Sequence, residues 1–263
     1  MSDILDIDKR HIWHPFTQHA SERDPIVVTG AKGACLFDED GTEILDLISS
    51  WWTCIHGHGH PALVQTLADQ AAKLDHVMFA GFTHEPAARL SQSLAGVLPG
   101  DLTKVFFSDN GSTAVEVALK LAFQYHRNKG ECTRTEFFAF EGGYHGDTLG
   151  AMSLGRGSNF FTLFEDLMCT VHPVPYAQTW EGDIAIVARE EDALEAFASA
   201  LDENGHKAAA IIIEPLMQGA SGFRFSRPEF VHKVSRMARD AGLLVIYDEV
   251  ATGFGRTGTL FAC

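Results

Sequence analysis

A carboxylate follows directly on an apolar segment near the end of the chain. Asp248 comes after LLVIY at residues 243–247, a run typical of a buried strand. An ionised carboxylate in that position is only partly solvated, so it needs a cationic partner or several hydrogen-bond donors. One interpretation is structural, with Asp248 in a salt bridge to Arg256 or in a helix cap. The other is chemical, with Asp248 as counter-ion to a protonated heteroaromatic nitrogen, since a nearby carboxylate favours the charged ring.

Two further segments carry residue types suited to a flat, phosphorylated ligand. Gly111 and Ser112 stand between an apolar run and a helical pattern, where backbone N–H groups and the helix dipole favour an anion. The same residues are also typical of a simple helix N-cap. No Walker or GxGxxG pattern, which would indicate phosphate binding more specifically, is present. Tyr144 lies in the glycine-flanked stretch EGGYHG, where an aromatic face can approach a flat ring closely. A surface tyrosine is the alternative there, and we interpret the next residue, His145, as positional.

Alternating strand and helix patterns would bring these residues together. From about residue 85, four apolar runs alternate with helical patterns of 10–17 residues, which predicts an α/β fold with a mostly parallel sheet and helices on both faces. Ligands bind beyond the carboxyl ends of such strands. The four runs are KVFFS (104–108), TEFFAF (135–140), AAAIII (208–213) and LLVIY (243–247).

Helix boundaries and the N-terminal region complete this organisation. Thr113 and Glu116 have capping-box spacing, Ser226 is placed to cap the last helix, and Gly242 is placed to end it. Short β-like runs before residue 48 predict a small antiparallel element. We expect an N-terminal α+β segment at residues 1–60 and a larger domain at residues 61–263.

Composition excludes several classes of function. The formal charge is −15 and no Lys/Arg block occurs, which argues against nucleic acid or an anionic membrane as partner. No apolar stretch approaches the roughly 20 residues of a membrane span, and the acidic start MSDILDIDKR is not a secretory signal. Five cysteines without CxxC spacing favour a cytoplasmic protein with no disulfide framework.

Four ordered motifs resemble the class III (fold type I) pyridoxal-phosphate (PLP) aminotransferases. They are SDNGSTAVEVALKLA, FEGGYHGDTLGAMS, IIEPLMQGASG and YDEVATGFGRTG, and the resemblance covers nearly the whole chain. It implies the large PLP-binding domain of that fold and PLP as cofactor. Gly111 and Ser112 would hold the cofactor phosphate, Tyr144 would lie over the pyridine ring, and Asp248 would pair with the ring nitrogen.

A narrower resemblance lies in RHIWHPFTQH and SSWWTCIHGHGHP. These segments are similar to the branch of the family that, in biotin synthesis, moves an amino group from S-adenosylmethionine to 8-amino-7-oxononanoate. Trp51 and Trp52 would line the substrate cleft, and Asp147 and Arg256 would help to form it with Tyr144. Phe16 stands where this branch usually has tyrosine, so a stacking surface remains and a hydroxyl is lost. The resemblance also implies a homodimer.

The lysine that such enzymes need is not found at a matching position. No lysine follows Lys233, and the family's Schiff-base lysine and C-terminal part would lie beyond Cys263. We therefore expect the N-terminal part of a longer enzyme, inactive by itself. The other lysines match no cofactor-bearing position: Lys9, Lys32, Lys73, Lys104, Lys120, Lys129 and Lys207.

Three alternatives remain open. His56, His58 and His60 alternate with glycine and could hold a metal ion, although no HExxH or cysteine pair accompanies them. The chain could be a noncatalytic fragment that needs a partner chain. It could also belong to a different class III enzyme that acts on another ω-amine, which the shared motifs do not exclude.

Overall fold

The computed structural model describes residues 3–157 and 161–263. Contacts divide the chain into a first unit that ends at His84 and a second unit from Glu85 to Cys263. The expected domain boundary after residue 60 stays a prediction.

The first unit contains a small antiparallel sheet. Strands β1, β2 and β3 pair in chain order, β1 with β2 and β2 with β3, which confirms the antiparallel element expected from the turn signals. The elements of this unit are α1 (Asp3–His11), β1 (Val28–Lys32), β2 (Cys35–Asp38), β3 (Glu43–Leu45), α2 (Ser49–Trp52) and α3 (Pro61–Lys73).

The second unit is built on a four-stranded parallel sheet in the order β5-β4-β6-β9. Its principal strands are β4 (Glu136–Phe140), β5 (Val171–Val174), β6 (Ala208–Ile213) and β9 (Leu244–Tyr247). Its helices are α4 (Glu85–Val97), α5 (Gly111–Asn128), α6 (Leu149–Leu154), α7 (Ile186–Asn204) and α8 (Pro228–Asp240), with a 3-10 turn at Thr162–Leu167. A short antiparallel pair, β7 (Met217–Gln218) and β8 (Arg224–Phe225), follows β6.

The sheet is buried on both faces because successive side chains of each strand point to opposite sides. Phe138 and Ile211 pack on one side in a cluster with residues of α7 and α8. Phe137 and Ile212 pack on the other side in a cluster with residues of α5 and α6. The predicted α/β fold with helices on both faces is therefore confirmed.

One predicted strand does not form. Residues 104–108 have no strand assignment, and Phe106 and Phe107 are 68% and 39% exposed. A strand is stable only when a neighbour pairs with its N–H and C=O groups. Within residues 3–157 and 161–263 no ladder includes this segment, so apolar composition alone was an insufficient signal.

Two of the predicted helix caps are also wrong. Helix α5 is capped by Asn110, whose side chain accepts from the Thr113 N–H in a reciprocal capping box. Glu116 instead accepts from the N–H groups of Gly150 at 2.6 Å and Ala151 at 3.2 Å, so it caps α6.

The last helix, α8, begins one residue later than the predicted cap allows. Its N-cap is Arg227 rather than Ser226, because Pro228 fits the first helical position and sets the boundary. Gly242 follows the helix end with φ +80°, as predicted.

Candidate functional site

Three adjacent parallel strands deliver polar residues to one edge of the sheet. Strand β4 leads into residues 141–147, β6 leads into Glu214, and β9 leads into Asp248. Since β4, β6 and β9 are neighbours in the sheet, their carboxyl ends lie together. The strand ends at which we expected a ligand therefore meet at one edge of the second unit, and we call this edge, with the start of α5, the rim.

Asp248 is buried and bonded to His145. Its Oδ2 lies 2.7 Å from His145 Nδ1, and the two side chains are only 6% and 1% exposed. Its Oδ1 accepts from the Val250 N–H at 3.1 Å. An ionised carboxylate only accepts, so Nδ1 carries the proton whenever Asp248 is ionised. His145 thus holds the carboxylate in one orientation, which agrees with its positional interpretation.

Glu214 is a further residue of this edge, to which the sequence assigned no role. It is 6% exposed, and its two oxygens accept from the backbone N–H groups of Tyr144 at 3.0 Å and Gly219 at 2.9 Å. Burial raises the pKa of this carboxyl above its usual range. The signal that could have found Glu214 is the same one that found Asp248, a carboxylate directly after a buried strand.

Tyr144 is tied to the start of α5 through Asp147. Its hydroxyl donates to Asp147 Oδ2 at 2.7 Å, and the Asp147 N–H donates to Ser112 Oγ at 3.1 Å. Burial, and then the neighbouring Asp147, raises the pKa of the Tyr144 hydroxyl, so it stays protonated and can donate. The Tyr144 ring stacks on Phe161 with centroids 6.1 Å apart and an interplanar angle of 15°.

Gly146, which precedes Asp147, is required by the close approach of the Tyr144 loop to α5. Gly146 has φ +124°, and a Cβ on it would collide with the Ser112 side chain and lie 2.8 Å from Ser112 Cα. Only glycine brings the Tyr144 loop this close to α5.

The start of α5 can hold an anion. The Asn110 side chain uses the Thr113 N–H, and the Ala114 N–H donates to Asn110 O. In the part of the chain that the structure describes, the Gly111 and Ser112 N–H groups have no such partner, as is usual for a first helical turn. A Cβ on Gly111 would lie 3.1 Å from Val250, so the β9 loop packs closely on it. These free donors are the chemistry that a phosphate group requires.

The structure therefore brings together five of the residues predicted for the site, through direct contacts or one intervening residue. They are Gly111, Ser112, Tyr144, Asp147 and Asp248. Arg256 lies in the exposed loop that follows β9, and its place in a substrate site stays a prediction.

The remaining predicted residues lie in the first unit. The rings of Phe16 and Trp51 meet edge to face with centroids 5.8 Å apart, and they are 59% and 60% exposed. Trp52 follows Trp51 in the sequence and is the last residue of α2. Their role in a substrate cleft stays a prediction.

The histidines of the segment HGHGH contact other residues of the first unit. His58 bonds to Asp46, and the rings of His56 and His60 lie 6.3 Å apart. Within the described residues no group of three or more His, Cys, Asp or Glu is placed to hold a metal ion. None of the helices described is both long and apolar enough to cross a membrane.

Comparison with known proteins decides the family. A sequence model described as "Aminotransferase class-III" matches residues 16–263. The chain belongs to the class-III aminotransferases. The class-III aminotransferases use PLP, one of the similar solved structures is in its PLP-bound form, and the site described above fits that cofactor.

Two bacterial relatives carry the same name. An adenosylmethionine-8-amino-7-oxononanoate aminotransferase of Synechococcus elongatus is 52% identical over 253 residues, which are 96% of this chain and 59% of the relative. A Mycobacterium leprae protein of the same name is 42% identical over 97% of this chain and 58% of its own length. The chain thus spans less than two thirds of the curated relatives it matches.

Solved structures confirm the class-III fold. An aminotransferase of the same name from Methanocaldococcus jannaschii matches with TM-score 0.89 and 32% identity, over 99% of this chain and 57% of that one. An amine transaminase from an uncultivated Pseudomonas species, solved in its PLP-bound form, matches with TM-score 0.87 and 28% identity, over 96% of this chain and 58% of that one.

Proposed function

We propose that residues 1–263 are part of a PLP-dependent enzyme of biotin synthesis. It transfers the amino group of S-adenosylmethionine to 8-amino-7-oxononanoate and yields 7,8-diaminononanoate. The observation that carries the proposal is the rim where the start of α5, the Tyr144 loop and buried Asp248 meet. The substrates follow the names of relatives up to 52% identical.

The residues of the rim fit the cofactor group by group. The free N–H groups of Gly111 and Ser112 would hold the phosphate, and Asp248, held by His145, would keep the pyridine nitrogen protonated. Tyr144, anchored by Asp147 and Glu214, would cover the ring and bound the space above it. When bound, PLP supplies the electron sink that makes amino transfer feasible.

The substrate side of the proposal names residues of the first unit together with Tyr144, Asp147 and Arg256. Exposed Phe16 and Trp51 form an aromatic pair, and Trp52 adjoins it. Aromatic faces of this kind suit the purine of S-adenosylmethionine and the alkyl chain of the oxo acid. Tyr144, Asp147 and Arg256 complete the proposed substrate set. We propose a homodimer and a cytoplasmic location for the complete enzyme.

The 263-residue chain is proposed to be inactive alone. The family resemblance places the Schiff-base lysine outside residues 1–263, and none of the eight lysines matches that position. Borohydride reduction of the chain with PLP should therefore leave no pyridoxyl-lysine on a tryptic peptide from the rim.

A chimera tests the function directly. Residues 1–263 are joined to the remaining C-terminal part of the Synechococcus elongatus relative, and the product is assayed with S-adenosylmethionine and 8-amino-7-oxononanoate. We expect formation of 7,8-diaminononanoate, and loss of turnover in the Asp248→Asn chimera. A soluble, PLP-loaded chimera that makes no diamine from this pair would refute the proposed substrates.

The second candidate is another class-III ω-transaminase. A solved (S)-selective ω-transaminase from Thermomicrobium roseum matches with TM-score 0.92 and 27% identity over 99% of this chain. The same chimera, offered simple ω-amines as donors, distinguishes the two activities.

A further inference from the structure

A thiol, an imidazole and a carboxylate form a connected chain within the first unit. Cys54 Sγ lies 3.6 Å from His58 Nδ1, and His58 Nε2 lies 2.8 Å from Asp46 Oδ2. The side chains of His58 and Asp46 are 14% and 6% exposed, and Cys54 is half-buried. We call these three residues the Cys54 cluster. All three belong to the first unit, whereas Gly111, Tyr144 and Asp248 belong to the second.

The carboxylate fixes which imidazole nitrogen faces the thiol. The Ser50 N–H, then His58 and then the Ser50 hydroxyl hold the pKa of Asp46 down to about 2, so it is ionised at neutral pH. An ionised carboxylate only accepts, so Nε2 of His58 carries a proton. In neutral imidazole, Nδ1 then presents its lone pair to the Cys54 thiol. His58 is therefore oriented to accept the thiol proton, the arrangement that activates a cysteine nucleophile.

Asp46 is held rigidly enough to maintain that orientation. It accepts from the Ser50 N–H at 3.0 Å and the Ser50 hydroxyl at 2.8 Å. These bonds tie down a turn in which Ser49, Ser50, Trp51 and Trp52 all have φ between 46° and 72°. Non-glycine residues rarely adopt that region, and they keep it only where surrounding contacts over-determine it. The Cys54 N–H donates to Ser49 O at 3.1 Å, which closes the same turn.

The other four cysteines have different surroundings. Cys35 hydrogen-bonds a glutamate, which raises the pKa of its thiol. Burial, and then a neighbouring glutamate, raises the pKa of Cys263 to about 11. Cys132 and Cys169 are exposed thiols. We use Cys132 as the reference for the reaction rate of an exposed thiol.

We propose that Cys54 is a nucleophilic thiol and a site of reversible modification by low-molecular-weight disulfides, with His58 as its base. The thiol proton passes to His58 Nδ1, and Sγ attacks one sulfur of the disulfide. The Cys54–sulfur bond forms as the disulfide bond breaks, and the departing thiolate takes up the proton from His58. One thiol and one disulfide become one mixed disulfide and one free thiol. This inference does not depend on the proposed aminotransferase activity.

The test measures modification rates at every cysteine of the folded 263-residue chain. Limiting iodoacetamide is followed by peptide mapping with mass spectrometry, and glutathione disulfide is used in parallel to detect the mixed disulfide. We expect Cys54 to react roughly tenfold faster than Cys132, since an imidazole base commonly contributes that much or more. His58→Ala should remove this advantage and leave the rate at Cys132 unchanged.

A second measurement keeps the proposal testable if His58→Ala does not fold. The Cys54 to Cys132 rate ratio of the unsubstituted chain is compared in buffer and in concentrated urea. The ratio should fall to near one in urea, because only the folded chain places His58 beside the thiol. Equal rates at Cys54 and Cys132 in the folded chain, or a Cys54 advantage that survives in folded His58→Ala, would overturn the proposal.

Discussion

The contact between His145 and Asp248 gives the sharpest quantitative prediction. His145 Nδ1 and Asp248 Oδ2 are 2.7 Å apart, and both side chains are less than one tenth exposed. The Nδ1–H of His145 donates to this carboxylate, and a hydrogen bond to a charged group contributes about 1.5–3 kcal/mol to stability. Removal of the imidazole leaves the buried carboxylate with the Val250 N–H as its remaining donor among the described residues and opens a cavity, and loss of the partner of a buried carboxylate typically costs about 3–5 kcal/mol. We therefore expect His145→Ala to lower the free energy of unfolding by about 3–5 kcal/mol at neutral pH.

A double-mutant cycle separates charge from volume in this prediction. Asp248→Asn keeps the size of the side chain and removes its charge, so His145→Ala in that background reports mainly the cavity and a neutral hydrogen bond. The coupling energy from the four variants should be at least about 2 kcal/mol. Urea unfolding of the 263-residue chain, followed by circular dichroism, supplies the four free energies. A coupling below about 0.5 kcal/mol, which is the range of independent sites, would refute the idea that His145 holds Asp248.

Three more predictions concern the supports of the rim, each measured by unfolding of purified chain. Glu214→Gln replaces one acceptor with a donor opposite a backbone N–H, so we expect a loss of about 1–3 kcal/mol. Burial raises the pKa of Glu214 in the folded chain. Its protonation therefore adds stability that is fully present below pH ~4.3 and is lost as the pH rises through the folded-state pKa. If the Tm difference between wild type and Glu214→Gln stayed constant over this pH range, the linkage would be wrong. Gly146→Ala should cost about 1–3 kcal/mol, since φ is +124° and the new Cβ meets Ser112, and an unchanged Tm would show that the loop can move away. Glu116→Ala removes the cap from α6 and should cost about 1 kcal/mol, whereas Glu116→Gln, which keeps one acceptor, should cost less; equal losses would count against the capping role.

The sequence predicted the rim residues because a local pattern marks them. Asp248 stands directly after an apolar run, Gly111 and Ser112 stand at the start of a helix, and Tyr144 lies in the loop that follows another run. Parallel strands bring their carboxyl ends to one edge. The family resemblance added roles to Gly111, Ser112, Tyr144 and Asp248, and the structure places these residues in one connected site. The roles themselves await the chimera.

The errors arose where a pattern has more than one solution in space. Residues 104–108 are as apolar as a strand, but pairing depends on a neighbour that local composition does not specify. Glu116 has the spacing of a capping box with Thr113, but it faces α6 and caps that helix. The cap of α5 is Asn110, which also precedes a helical pattern and is an equally good capping residue.

The sequence by itself determined the alternation of strands and helices and the residue types at the strand ends, because these depend on spacing along the chain, and its motifs carried the resemblance to the family. Only the tertiary structure decided the partners. His145 and Asp248 are 103 residues apart, and Glu214 binds the backbone of a loop 70 residues earlier. No periodicity encodes such pairs. They form because the sheet places its strand ends side by side, and each buried carboxylate there accepts hydrogen bonds from donors that are distant in the sequence.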